Sequence, residues 1–207
     1  MIPLDEVAIS KTILKTYSDK LLDRVQSDVL IVGGGPAGLV AAHLLAGSGL
    51  KVTVMEKRLS PGGGIWGGGM GMNVAVVQDE AAELLEQFGI GFEPQQDGLH
   101  AVDSVELAAG LCCKAIQAGA ALLNLITVED LCLAEGRVNG AVINQTGIYG
   151  VLPVDPLVFH ARAVVDATGH DAALVQMLRK RGLLEGIDIP SAVEGPMNAT
   201  EGEAFVV

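Results

Sequence analysis

Apolar positions along this chain change rhythm several times, and each change marks an element. Residues 5–26 set Val7, Ile9, Ile13, Leu14, Leu21 and Leu22 among charged side chains, at a spacing that predicts an amphipathic helix with an imperfect period. A solid apolar run at 28–33 predicts a buried strand. Residues 36–48 predict a helix ending near Gly47 and Gly49, and 51–56 a second strand. Helices follow at 79–89, closed by Gly89, and at 103–118, closed by Gly119. Three strand-like runs occupy 121–128, 130–134 and 137–143, with Gly136 and Asn139-Gly140 as turn signals. Another buried strand spans 161–167 and stops at Thr168-Gly169, followed by a helix over 171–181. The chain closes on a short apolar run, 204–207, that reads as the start of a strand.

Strands that alternate with helices and read as continuous apolar runs predict a parallel sheet in an α/β fold. The expectation is a Rossmann-like dinucleotide-binding fold of the glutathione-reductase type, with a small inserted β-rich lobe near 121–150. A chain of 207 residues suits one such domain. A doubly wound domain usually has one more strand and helix, so a C-terminal strand and helix are expected to be missing. Composition agrees: half the residues are hydrophobic but only 3% are aromatic, so the core is built from Ala, Val, Leu and Ile.

Charge and cysteine usage narrow the partners. A formal charge of −12 argues against nucleic acid, whose phosphates need clustered Lys and Arg. No apolar run reaches membrane-spanning length, and the charged start carries no signal-peptide core, so a cytoplasmic protein is expected. Cys112, Cys113 and Cys132 have no CxxC spacing and read as buried structural thiols.

The chemistry begins at the first strand. Gly33, Gly35 and Gly38 have the GxGxxG spacing and sit between strand and helix. Such glycines give a tight turn, close approach to a pyrophosphate and close helix–strand packing, while the helix N-terminus offers free N–H groups. Glu56 lies 18 residues after Gly38, at the end of the second strand, where an acid can accept hydrogen bonds from ribose hydroxyls. The following loop, Ser60 to Met72, is dense in glycine and holds the only tryptophan, Trp66. It reads either as backbone that wraps a ligand or as a surface loop. Asp155 and His170 form a second pair, a carboxylate and an imidazole suited to Fe(II), Mn(II) or Zn(II). From spacing alone, metal ligation and plain structural hydrogen bonding both stand.

Four segments carry a family resemblance. They are Glu56 to Met70, Val154-Asp155-Pro156, Val164 to Ala172 and Glu194 to Asn198. Together they resemble the thiamine thiazole synthases. That family builds an adenylated thiazole carboxylate from NAD, glycine and a sulfur source, and needs Fe(II). NAD is consumed as a substrate. The resemblance implies that Gly33, Gly35, Pro36, Ala37, Gly38, Glu56, Lys57 and Gly64 hold NAD. It further implies that Val128 meets the adenine side through its backbone, that Pro153 and Val154 belong to the same site, and that Asp155 and His170 bind iron and are catalytic. Family members are ring-like homo-oligomers, octamers among them, in which the Asp-bearing loop reaches a neighbouring subunit.

Two departures qualify the likeness. In one branch of the family a cysteine two residues before this Asp donates its sulfur; in another a histidine stands there and free sulfide is used. This chain has Pro153, which offers neither thiol nor ligand. Sulfide as the sulfur source is therefore the expectation. The family's C-terminal segment also carries an arginine that grips the glycine carboxylate, and this sequence does not supply it. Two other readings stay open: an FAD-dependent oxidoreductase and a ribose 1,5-bisphosphate isomerase-like protein.

Overall fold

Strand β1 (Gln26–Val32) is the hub of the fold. It pairs in parallel with β2 (Val52–Glu56) on one side and β9 (Leu157–Asp166) on the other. The computed structural model describes residues 5–185, so the runs at 194–198 and 204–207 lie outside the described residues. With β6 (Ala121–Asn124), β7 (Ile126–Ala134) and β8 (Arg137–Gln145), the main sheet has the order β6-β2-β1-β9-β8-β7. The first four strands are parallel; β8 runs antiparallel to β9, and β7 antiparallel to β8. This is the α/β arrangement with a parallel sheet that the sequence predicts.

Side chains of β1 alternate between two cores, as the strand period requires. Val29 and Ile31 join Val52 and Val54 against α2 (Pro36–Gly47), α3 (Asp79–Phe88) and α4 (Ser104–Gln117). Leu30 and Val32 face the other way, toward Met55, Leu123, Ile143, Phe159 and Leu174 of α5 (Ala173–Lys180). Pro36 opens α2 at its first turn, and Gly89 ends α3 in the left-handed conformation. Asp103 caps α4 by accepting from Val105 and Glu106 N–H.

Several expectations need correction. The run 121–128 is broken at Leu125, whose φ of 57° ends β6, so β7 begins at Ile126. The break expected before 130 is a bulge inside β7, between Val128 and Asp130. Asn139-Gly140 is no turn. The hairpin turns at Glu135-Gly136, both at positive φ, and Gly140 sits within β8. A Cβ at Gly140 would lie 2.2 Å from the Phe159 carbonyl oxygen, so glycine is there to let β9 approach. The β-rich segment expected near 121–150 is present as β6, β7 and β8, and it joins the main sheet through the β2–β6 and β8–β9 pairings. A separate three-stranded sheet, β3 (Val74–Gln78), β5 (Leu99–Asp103) and β4 (Glu93–Pro94), was not expected from the sequence.

Helix α1 (Glu6–Arg24) forms as expected but buries none of its residues. Lys20 Nζ donates to the Leu122 carbonyl at 2.6 Å, and Leu21 packs on the second core. Burial, aided by the nearby Arg24 charge, holds the Lys20 ammonium below the usual lysine range. The cysteines depart from expectation at one position: Cys113 is exposed. Cys112 and Cys132 are half-buried, and burial raises both thiols.

Candidate functional site

The parallel strands end in a cleft of about 1040 Å³, roomy enough for a dinucleotide. Its floor is the turn after β1. Gly33 N–H donates to the Met55 carbonyl at 2.8 Å, and Gly33 adopts φ +110°. A Cβ at Gly33 would meet the Ala167 carbonyl oxygen at 2.1 Å, and one at Gly38 would meet the Gly33 carbonyl oxygen at 2.0 Å. Both are glycine because protein packs there. Gly35 differs. Its φ is −80°, which any residue adopts, and the nearest atom to a Cβ would be Gly63 Cα at 3.9 Å. The space over Gly35 is open cleft, at the N-terminus of α2, where Gly35 has no side chain to cap the helix. That is a cradle for an anionic group such as a pyrophosphate.

Glu56 is buried and spans the turn. Its Oε2 accepts from Gly34 N–H at 2.8 Å and its Oε1 from Arg58 N–H at 2.7 Å. The acid therefore organises the glycine turn as well as facing the cleft. Beside it, Thr146 Oγ1 donates to the Lys57 carbonyl at 2.9 Å and lies 2.9 Å from Thr127 Oγ1. A carbonyl cannot donate, so Thr127 donates to Thr146, and Thr127 keeps its acceptor lone pairs. The hairpin is thereby fixed over the end of β2.

The glycine-rich loop forms the near rim. Gly62 N–H donates to the Gly34 carbonyl at 2.6 Å, and Trp66 Nε1 donates to the Pro61 carbonyl at 2.8 Å. Two short 3-10 turns, Ile65–Gly67 and Gly69–Gly71, order the rest.

The far rim is built by Asp166 at the end of β9. One carboxylate oxygen accepts from Thr168 N–H (3.0 Å) and Thr168 Oγ1 (2.6 Å), the other from Leu174 N–H (2.9 Å) and Val175 N–H (3.1 Å). Thr168 Oγ1 in turn accepts from Ala173 N–H at 2.7 Å. The N-cap of α5, Ala172, is left-handed and has no capping side chain, so these two residues cap α5 from a distance. Between them hangs the turn Gly169–Asp171, with His170 exposed toward the cleft.

The Thi4 family model matches residues 10–207. The chain belongs to the Thi4 family. A thiamine thiazole synthase of Thermococcus kodakarensis is 49% identical over 203 residues, covering 98% of this chain and 79% of that protein. The Thermotoga maritima thiamine thiazole synthase is 45% identical over 203 residues, with the same coverage. The crystal structure of Thermovibrio ammonificans THI4 superposes with a TM-score of 0.90 at 43% identity, over 97% of this chain and 79% of that one. L-proline dehydrogenase from P. horikoshii shares the fold alone, with a TM-score of 0.60 at 20% identity over 80% of this chain and 57% of that one.

Within this Thi4 chain the expected site residues divide. Gly33, Gly35, Pro36, Ala37, Glu56, Lys57, Gly64, Val128 and His170 all line the cleft. Gly38 lies buried beneath it, packing α2 onto the turn. Pro153, Val154 and Asp155 stand on an exposed loop before β9, outside the lining of the cleft. Among the described residues no group of three or more His, Cys, Asp or Glu side chains comes together as a metal site. The sequence reading missed Asp166, Thr168, Arg58, Thr127, Thr146 and Tyr149, all cleft residues. Asp166 carried a visible signal, an acid at the end of an apolar strand, as Glu56 does. Thr168 stood at the strand's end within the segment that carries the family resemblance, while Thr127, Thr146 and Tyr149 carried no signal.

Proposed function

We propose that this protein is a thiamine thiazole synthase that forms an adenylated thiazole carboxylate from NAD, glycine and sulfide, with Fe(II). Membership of the Thi4 family supports the thiazole-forming activity. The open cradle over Gly35, next to a carboxylate at Glu56, carries the nucleotide reading. On this reading the pyrophosphate lies over Gly35 and the α2 N-terminus, and the adenosine lies toward Glu56, Lys57 and Val128. The chain's part is to hold the dinucleotide extended along the strand ends and to exclude water on the glycine-loop side.

Sulfur would come from solution. Pro153 has no thiol, and none of the three cysteines lines the cleft. Iron supplies redox and Lewis-acid chemistry to the family. Asp155 is exposed on the loop before β9 and is not among the residues lining the cleft, whereas His170 is. We therefore read the active form as a homo-oligomer in which Asp155 of one subunit reaches toward His170 of another. The apolar surface of Val151, Leu152, Val154, Leu157 and Val158 around Asp155 supports that arrangement.

The test is anaerobic incubation with NAD, glycine, sulfide and Fe(II), with mass spectrometry of released small molecules and of the intact chain. Adenylated thiazole should accumulate over several turnovers with the protein mass unchanged. Product formed with loss of one sulfur from the chain would overturn the sulfide reading. A Gly35→Val chain that folds and still binds NAD would overturn the nucleotide site.

A further inference from the structure

The order of the sheet sets three strand ends in a row along the cleft: Glu56 ending β2, Gly33 following β1, and Asp166 ending β9. If adenosine lies at Glu56 and pyrophosphate at Gly35, the rest of the dinucleotide must run toward β9. There the wall is Thr168, Gly169, His170 and Asp171. The local backbone supplies one hydrogen bond, Ala172 N–H to the Gly169 carbonyl at 3.0 Å, while Gly169 (φ +81°) and Ala172 (φ +40°) are both left-handed and α5 lacks a side-chain cap from its own N-cap residue. The turn is also tied on both sides to one carboxylate, Asp166, which takes four hydrogen bonds.

We propose that Asp166, working with Thr168, is the positioning residue that holds the Thr168–Asp171 wall, and with it His170, against the nicotinamide-riboside half of NAD. The proposal rests on the nucleotide reading above. Its chemistry is specific. Only a group with two acceptor oxygens and no proton satisfies donors at both ends of the turn. In Asp166→Asn an amide NH₂ would face main-chain N–H groups, leaving donors unpaired. Thr168→Val removes the hydroxyl that bridges Asp166 to Ala173 N–H, while Thr168→Ser keeps it.

Calorimetric titration of the whole protein with NAD and, separately, with AMP tests this. AMP carries only the adenosine phosphate half and never reaches β9. Asp166→Asn and Thr168→Val should each weaken NAD binding about tenfold or more, leave AMP within about twofold of wild type, and Thr168→Ser should bind NAD as wild type does. Equal weakening of NAD and AMP would reduce the pair to a fold-stabilising role and overturn the proposal. So would unchanged NAD affinity in both variants. Should Asp166→Asn fail to fold, Thr168→Val with its serine control decides alone. Wild-type protein that binds neither nucleotide overturns the nucleotide reading itself and this proposal with it, an outcome distinct from the other two.

Discussion

Gly33, Gly35 and Gly38 share one motif but answer to different forces. At Gly33 and Gly38 a methyl group would sit about 2 Å from main-chain oxygen, a distance no relaxation of side chains removes. At Gly35 the same methyl would meet nothing closer than 3.9 Å. Gly38→Ala should therefore destabilise the fold by at least about 2 kcal/mol in denaturant unfolding. Gly35→Ala should change stability by no more than about 1 kcal/mol while weakening NAD binding measurably by calorimetry. Equal stability losses at both positions would contradict the division. The spacing of these glycines was plain in the sequence, yet it could not separate the two roles, because the atoms crowding Gly33 belong to Ala167, far along the chain. Glu56 was likewise legible as an acid at a strand end. Its hydrogen bonds to Gly34 and Arg58 N–H were not, since they depend on how the turn folds back.

Elements whose apolar runs are long and buried were legible: β1, β2, α2 and α4 fall where hydrophobicity puts them, while β9, expected over 161–167, begins earlier, at Leu157. The elements missed or misplaced are those settled by contacts distant in sequence. Strands β3 and β5 are short, half-exposed and paired only with each other and β4, so their alternation left little trace. Asn139-Gly140 looks like a turn and is strand, because β9 passes against it. Gly140→Ala makes the point testable. Its Cβ would collide with the Phe159 carbonyl and prise β8 from β9, at a cost of about 2 kcal/mol or more in urea unfolding. A variant as stable as wild type would show that the strands slide past one another freely. The candidate site follows the same rule. Its floor and near rim were visible in the glycine pattern and His170 of the far rim in the segment after β9, whereas the reach of Asp166 across to α5 was not.

At the scale of the molecule, α1 stands out. It keeps Val7, Ile13, Leu14 and Leu22 more than half exposed, and is tied to the sheet by Lys20 and by Arg24 Nη1 donating to the Val52 carbonyl at 3.3 Å. Apolar side chains so arranged on a chain of charge −12 favour burial against a like surface over solvent. If α1 helps join subunits, the protein should elute as a multiple of 21.3 kDa in size exclusion with light scattering. The double substitution Ile13→Lys with Leu14→Lys should shift it toward that mass without lowering its melting temperature. A wild-type monomer would contradict the assembly, and an unshifted double variant would place the contact elsewhere.

The glycine-rich rim bears on affinity in a different way. A free segment with so many glycines would lose on the order of 1 kcal/mol of backbone entropy for each residue fixed on binding. Here Gly62 is already hydrogen-bonded to Gly34, Asn73 N–H to the Gly67 carbonyl, and Ser104 Oγ to the Trp66 carbonyl, all within the protein itself. Much of that disorder is surrendered during folding, before any nucleotide arrives. The glycines then contribute closeness of approach while the ligand meets a surface largely preorganised to receive it.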